Sequence, residues 1–230
     1  MKIQGFLKTT LLDYPGKVAC TIFTAGCNLR CPFCHNAFLV TQTDKNEEFS
    51  KIEILEFLKK RKGILDGVCI SGGEPLLNDD IFDFIREIKK IGLVVKLDTN
   101  GTFPERLKKA VNEKIVDYVA MDIKNTSEKY PQTVGIDAFD ISPINESIDF
   151  LLLNNVDYEF RTTVVKEFHT IEDIENIAKR ISGAKKYFLQ AFIDSGNLIG
   201  RNLHACSSEE MNRFKEIAQQ YVVDVSVRGN

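Results

Sequence analysis

At 230 residues the chain is long enough for one large domain with a substantial core. It is 43% hydrophobic and 27% charged, ordinary for a soluble globular protein, and its net charge of −3 gives no reason to expect nucleic acid or an anionic membrane as the main partner. The N-terminal "MKIQGFLKTTLLDYPGK" has no long apolar region and no later run is long enough to span a bilayer. The expected setting is therefore the cytoplasm, where clustered cysteines more often bind metal or do chemistry than form disulfides.

In chain order, short β-rich runs alternate with amphipathic helices. "KVACTIFT" (17–24) predicts a strand; Ser50 with Glu53 predicts a capping box opening a helix to about Lys62. "GVCIS" (67–71) predicts a buried strand, and "DDIFDFIREIKKIG" a helix ending at Gly92. "LVVKLDT" is a strand, followed by a helix capped by Thr102 with Pro104 in its first turn. "YVAMDIK" is a strand; after an irregular stretch, Ser142 caps a helix with Pro143 at its start. "YEFRTTVV", "IEDIENIAKRI" and "KYFLQAF" give strand, helix, strand. Ser207 with Glu210 starts a last helix, and "VVDVSV" closes the pattern. About six strand–helix units in series, without a linker or repeat, indicate one α/β domain over 1–230 with a parallel sheet. Six units fall short of the eight of a closed barrel, leaving an open barrel or a doubly wound sheet.

The unusual residues fall at strand ends, where parallel α/β folds gather their sites. Cys27, Cys31 and Cys34 follow the first strand; "SGGEP" (71–75) ends the second and "DTNG" (98–101) the third. "MDIK" (121–124), "RTTVV" (161–165) and "LQAF" (189–192) end the next three. Taken singly, each is an ordinary turn or a solvated charge; together they outline one rim.

Three metal groups compete for the cysteines. "CPFCH" (31–35) matches a c-type haem attachment pattern but leaves Cys27 unexplained. Three cysteines and His35 could bind zinc, although adjacent Cys34 and His35 make joint tetrahedral ligation awkward. A [4Fe–4S] cluster on three thiolates would leave one iron open to substrate.

Cys27-x3-Cys31-x2-Cys34, with Phe33 before the third cysteine and "SGGEP" in the second βα loop, resembles the signature of the radical S-adenosylmethionine enzymes. "LLDYPGKVACTIFTAGCNLRCPFCHN" further resembles the compact activases of that family, which serve anaerobic ribonucleoside-triphosphate reductase and pyruvate formate-lyase. The resemblance implies a partial (β/α)6 barrel. It also implies an oxidoreductase that cleaves S-adenosylmethionine to a 5′-deoxyadenosyl radical, which takes hydrogen from a backbone glycine of a partner enzyme. By that resemblance Cys27, Cys31 and Cys34 ligate the cluster, and Gly72, Gly73 and Glu74 hold the methionyl amino group. Phe33 lies against the adenine or in the core. Asp98, Thr99, Asn100 and Asp122 line the cofactor's rim, Asp122 on the ribose, the sulfonium or a monovalent cation. Lys124 or Arg161 takes the carboxylate. The implied partners are a glycyl-radical enzyme, first of all anaerobic ribonucleotide reductase, and flavodoxin or ferredoxin as electron donor. His35 and Asn36 would hydrogen-bond near the cluster or open a helix. His169 and His204 are expected in solvated loops, Cys20 and Cys69 as buried strand residues, and Cys206 as a lone loop thiol. The alternatives are a radical enzyme acting on a small molecule or another peptide, and a zinc-bound structural or regulatory protein.

Overall fold

The computed structural model describes residues 1–43 and 48–229. Eight strands form a sheet in strict chain order: β1 (Ile3–Thr10), β2 (Ala19–Thr24), β3 (Gly67–Gly72), β4 (Val94–Thr99), β5 (Tyr118–Asp122), β6 (Asp157–Val164), β7 (Lys186–Ala191) and β8 (Asp224–Arg228). β1 pairs antiparallel with β2, and every later pair is parallel. The helices between them are α1 (Ala37–Thr41), α2 (Lys51–Lys60), α3 (Ile81–Ile91), α4 (Pro104–Asn112), α5 (Tyr130–Val134), α6 (Ser142–Leu152), α7 (Ile171–Arg180) and α8 (Ser208–Ala218). No helix among the described residues is long and apolar enough to cross a membrane.

Strand order decides between the two candidate architectures. A doubly wound sheet reverses its order to place helices on both faces. Here the order never reverses, so right-handed crossovers put the helices on one face and the other face must curl onto itself. β1 and β8 are not paired with each other, so the curl stays open. The expected six-unit partial barrel runs from β2 to α8, and β8 extends it.

Local chemistry explains the elements. α3 buries Ile81, Phe84, Ile85 and Ile88, a stripe at helical spacing, and ends where Gly92 turns left-handed at φ 96°. α8 starts with the expected capping box, Ser207 and Glu210 each bonding the other's backbone. Ser50 caps α2 by accepting from the Ile52 N–H at 3.2 Å, but the expected capping box with Glu53 is not formed. Two expected caps are corrected. α4 is entered through Phe103, because Thr102 is engaged elsewhere, and Ser142 is the first residue of α6 while Ile141 precedes it as cap. β1 has no counterpart in the sequence reading. Gly5 interrupts its pattern, yet that glycine lets β1 pass the Phe23 ring, which a Cβ would meet at 2.9 Å.

Candidate active site

The three cysteines sit on the loop from β2 to α1, held by its neighbours' backbone. Gly26 N–H donates to Leu39 O at 2.8 Å, Arg30 N–H to Val134 O at 2.9 Å, and Gly200 N–H to Pro32 O at 2.7 Å. The thiols face a cavity of about 220 Å³ at the carboxyl ends of the strands. Burial pushes Cys27 up to about 11 and Cys31 up to about 12, and raises Cys34; the Lys124 ammonium pulls all three the other way. Bare thiolates are thus unfavourable here, and deprotonation is coupled to metal ligation. Among the described residues, no three Cys, His, Asp or Glu side chains converge tightly enough to grip a single ion. His35 is directed elsewhere: its Nε2–H donates to Ile193 O at 2.9 Å and its ring stacks on Phe192 at 5.7 Å. Three thiols at the cavity, with the His35 ring beside them engaged by Ile193 and Phe192, suit a cluster in which each would bind a different iron better than one tetrahedral zinc.

The "GGE" segment lies against this loop. Gly73 N–H donates to Thr24 O at 2.9 Å and Glu74 N–H to Gly26 O at 2.8 Å. A Cβ on Gly73 would stand 1.9 Å from Gly26 O, and one on Gly72, at φ 126°, would stand 2.3 Å from Thr24 N and O. Both glycines therefore let two backbones touch. Gly72 and Gly73 line the cavity. Glu74 is buried behind them: Oε1 accepts from Leu76 N–H and Thr99 Oγ1, both at 3.0 Å, and Oε2 from Asn100 N–H at 2.7 Å. Burial pushes its carboxyl up to about 7 against those three bonds. A carboxylate offers about four acceptor sites, so Oε2 keeps one.

Across the cavity runs a chain of alternating charge. Asp98 accepts from Lys96 Nζ, from Ser71 Oγ at 3.1 Å and from Arg161 Nη1 at 3.2 Å. Arg161 Nε donates to Asp122 Oδ1 at 2.9 Å, and Lys124 Nζ to Asp122 Oδ2 at 3.2 Å. Burial works against ionised carboxylates, but Arg161 and Lys96 hold Asp98 down to about 2, and Arg161 and Lys124 hold Asp122 low. Burial likewise opposes the Lys124 ammonium, yet Asp122 and, less strongly, Cys31 and Tyr130 keep it above the ordinary lysine range. All four carboxylate oxygens already face a donor. Arg161 is therefore an internal bridge between β4 and β6, and Lys124 ends the chain beside the cysteines.

Phe33 belongs to both of its expected settings. Its ring is buried against Phe168 at 5.5 Å, and it also lines the cavity. His169 is corrected: it is buried, not solvated. One imidazole nitrogen, Nδ1, accepts from Val165 N–H at 3.1 Å and the other donates to Lys124 O at 2.8 Å, while the ring meets Phe33 edge-on at 6.4 Å. Burial lowers its basicity. His204 is exposed and bonds Glu167 at 2.6 Å. Cys20 and Cys69 are buried in strands, and Cys206 is a buried thiol in the loop before α8. Sequence reasoning passed over Lys96, although a lysine two residues before Asp98 in an apolar strand must share its face.

A model of the radical SAM superfamily matches residues 21–181. A Methanocaldococcus jannaschii protein with the provisional name glycyl-radical enzyme activating enzyme is 34% identical over 233 residues, spanning 98% of this chain and 95% of its own. Escherichia coli pyruvate formate-lyase 1-activating enzyme is 30% identical over 143 residues, 59% of this chain and 57% of its own. Among solved structures, Streptococcus suis SuiB bound to S-adenosylmethionine has a TM-score of 0.69 over 90% of this chain and 49% of that one; at 14% identity the likeness is one of fold. The matched span carries the cysteine loop, "GGE" and the charge chain, and the chain belongs to the radical S-adenosylmethionine superfamily, whose enzymes work with a [4Fe–4S] cluster and S-adenosylmethionine.

Proposed function

We propose that this protein activates a glycyl-radical enzyme, the anaerobic ribonucleoside-triphosphate reductase, by removing hydrogen from a backbone glycine. The observation that supports activation of a glycyl-radical enzyme is the relative provisionally named for that class, which matches over nearly the whole of both chains; the reductase as partner rests on the resemblance of "LLDYPGKVACTIFTAGCNLRCPFCHN". In this reading residues 1–230 are one radical S-adenosylmethionine domain working in the cytoplasm, with flavodoxin or ferredoxin as electron donor. Cys27, Cys31 and Cys34 hold the cluster. When bound, the cluster and S-adenosylmethionine together supply a 5′-deoxyadenosyl radical. The chain's part is to bind, orient and shield. Gly72 and Gly73 present backbone to the amino group, Glu74, buried behind them, backs that site with its charge, and Lys124 takes the carboxylate with Arg161 beside it. Phe33 packs the adenine, and Asp98, Thr99, Asn100 and Asp122 complete the rim.

Glu74→Ala is expected to leave the cluster assembled and weaken cofactor binding by about 1.5–3 kcal/mol, roughly ten- to a hundredfold. Because burial places the Glu74 carboxyl at about 7, its charge is lost as pH falls through neutrality. Wild-type affinity, measured by equilibrium dialysis with reconstituted protein, should therefore decline from pH 8 to pH 6, while that of Glu74→Ala stays flat. Equal affinity and equal pH profiles would remove Glu74 from the site.

The partner is tested by anaerobic reconstitution with S-adenosylmethionine, a reductant and the reductase, followed by electron paramagnetic resonance. A glycyl doublet is expected, with deuterium from that glycine recovered in deoxyadenosine. Productive abstraction requires the glycine to be positioned against the rim formed by "DTNG", "MDIK" and the loop after Phe192. Exposed Arg201 lies on that loop, so its charge reversal should impair activation more than partner-free cleavage. Normal activation of a reductase lacking its glycine loop, or deuterium transfer from a small metabolite alone, would favour the small-molecule radical enzyme.

A further inference from the structure

Three side chains close a ring between the cysteine loop and the end of β4. Asn100 Nδ2 donates to Asn28 Oδ1 at 3.0 Å, Asn28 Nδ2 donates to Thr102 Oγ1 at 2.9 Å, and Thr102 Oγ1 donates to Asn100 Oδ1 at 2.6 Å. Thr102 N–H adds a second bond to Asn100 Oδ1 at 3.0 Å. These partners settle the orientation of the Asn100 amide, since its oxygen faces two donors and its nitrogen faces acceptors. One Nδ2 hydrogen serves Asn28. The other points to Cys27 Sγ, 3.7 Å away. Leu29 N–H reaches the same sulfur at 3.4 Å. The backbone of Asn100 is pinned too, by its N–H on Glu74. A carboxamide held at three other points, on a backbone itself pinned at its N–H, has little freedom to do anything except donate to that sulfur.

We infer that Asn100 is a positioning residue that sets the reduction potential of the cluster through an Nδ2–H···Sγ bond to Cys27, with Asn28 and Thr102 fixing its aim. The inference rests on the reading of Cys27 as a cluster ligand. Reduction adds negative charge that spreads onto the ligating sulfurs. A donor at a sulfur therefore favours the reduced form and raises the potential. This matters for a reaction that starts by delivering one electron at low potential. The same ring links the cofactor rim at Thr99–Asn100 to the cluster loop across 72 residues of sequence.

The test is a redox titration of reconstituted protein without S-adenosylmethionine, monitored by the signal of the reduced cluster, in wild type, Asn100→Ala and Thr102→Val. Iron and sulfide are measured in each. Asn100→Ala should lower the ratio of reduced to oxidised cluster at a fixed potential about tenfold, a shift of about 59 mV to more negative potential for one electron. Thr102→Val, which keeps the amide and the backbone N–H bond to its oxygen but removes the hydroxyl that closes the ring through Asn28, should shift it less in the same direction. Wild type with ¹⁵N-asparagine should show a hyperfine coupling to the reduced cluster that Asn100→Ala lacks. Fully loaded Asn100→Ala with the wild-type midpoint overturns the inference. If Asn100→Ala does not load, an unshifted Thr102→Val and an absent ¹⁵N coupling in wild type overturn it equally. Wild type that takes up zinc, or no iron, overturns the cluster reading itself, and metal analysis tells that failure apart.

Discussion

Replacing any one of Cys27, Cys31 or Cys34 by alanine is expected to abolish the visible absorbance of the reconstituted protein and all cleavage of S-adenosylmethionine. Each thiol at the cavity would bind a different iron, so none can substitute for another. Cys20→Ala, Cys69→Ala and Cys206→Ala should retain both properties. Cys20 and Cys69 are packed within β2 and β3, and Cys206 lies before α8. The comparison is made by iron and sulfide analysis, with deoxyadenosine quantified after reduction. If Cys206→Ala proved as damaging as Cys27→Ala, or if two of the three loop cysteines sufficed, the ligand set would be wrong.

Gly73→Ala should nearly match that loss without touching a thiol. The added methyl would overlap Gly26 O at 1.9 Å and approach Cys27 Cβ at 3.2 Å. The obstacle is backbone, so no rotamer change relieves it. Overpacking of this kind costs about 1–3 kcal/mol in ordinary cores, and the upper end is expected here because the two segments are also hydrogen-bonded. The displaced part is the cysteine loop, so iron uptake should fail even where the barrel still folds. Gly63→Ala is the converse control: Gly63 is left-handed at φ 85°, which Gly73 is not, and has open space around it. It should lose about 1–2 kcal/mol of stability and keep its cluster. Urea unfolding of the apo-proteins and iron content after reconstitution separate the two effects. Full iron loading and wild-type cleavage by Gly73→Ala would mean that the close approach to Gly26 does not position the loop.

Much of this protein was legible in one dimension. Alternating β-rich runs and apolar stripes of helical period are local patterns, and they placed β2 to β8 and the long helices within a few residues. The cysteine spacing and "GGE" are local as well, and their position after strands is enough to put them on one rim. β1 escaped because Gly5 looks like a breaker until Phe23 is seen lying across it. His169 was misplaced because a histidine in a turn carries no sign that Phe33 and Lys124, far away in sequence, will bury it. The choice of an open barrel over a flat sheet followed from strand order, which residue pattern leaves undetermined. The charge chain from Lys96 to Lys124 and the ring of Asn28, Asn100 and Thr102 exist only once curvature brings separate strand ends together. Residue type and periodicity determined which groups this protein has at its rim; register and curl decided which of them touch, because hydrogen bonds and ion pairs depend on distances that only the curved sheet supplies.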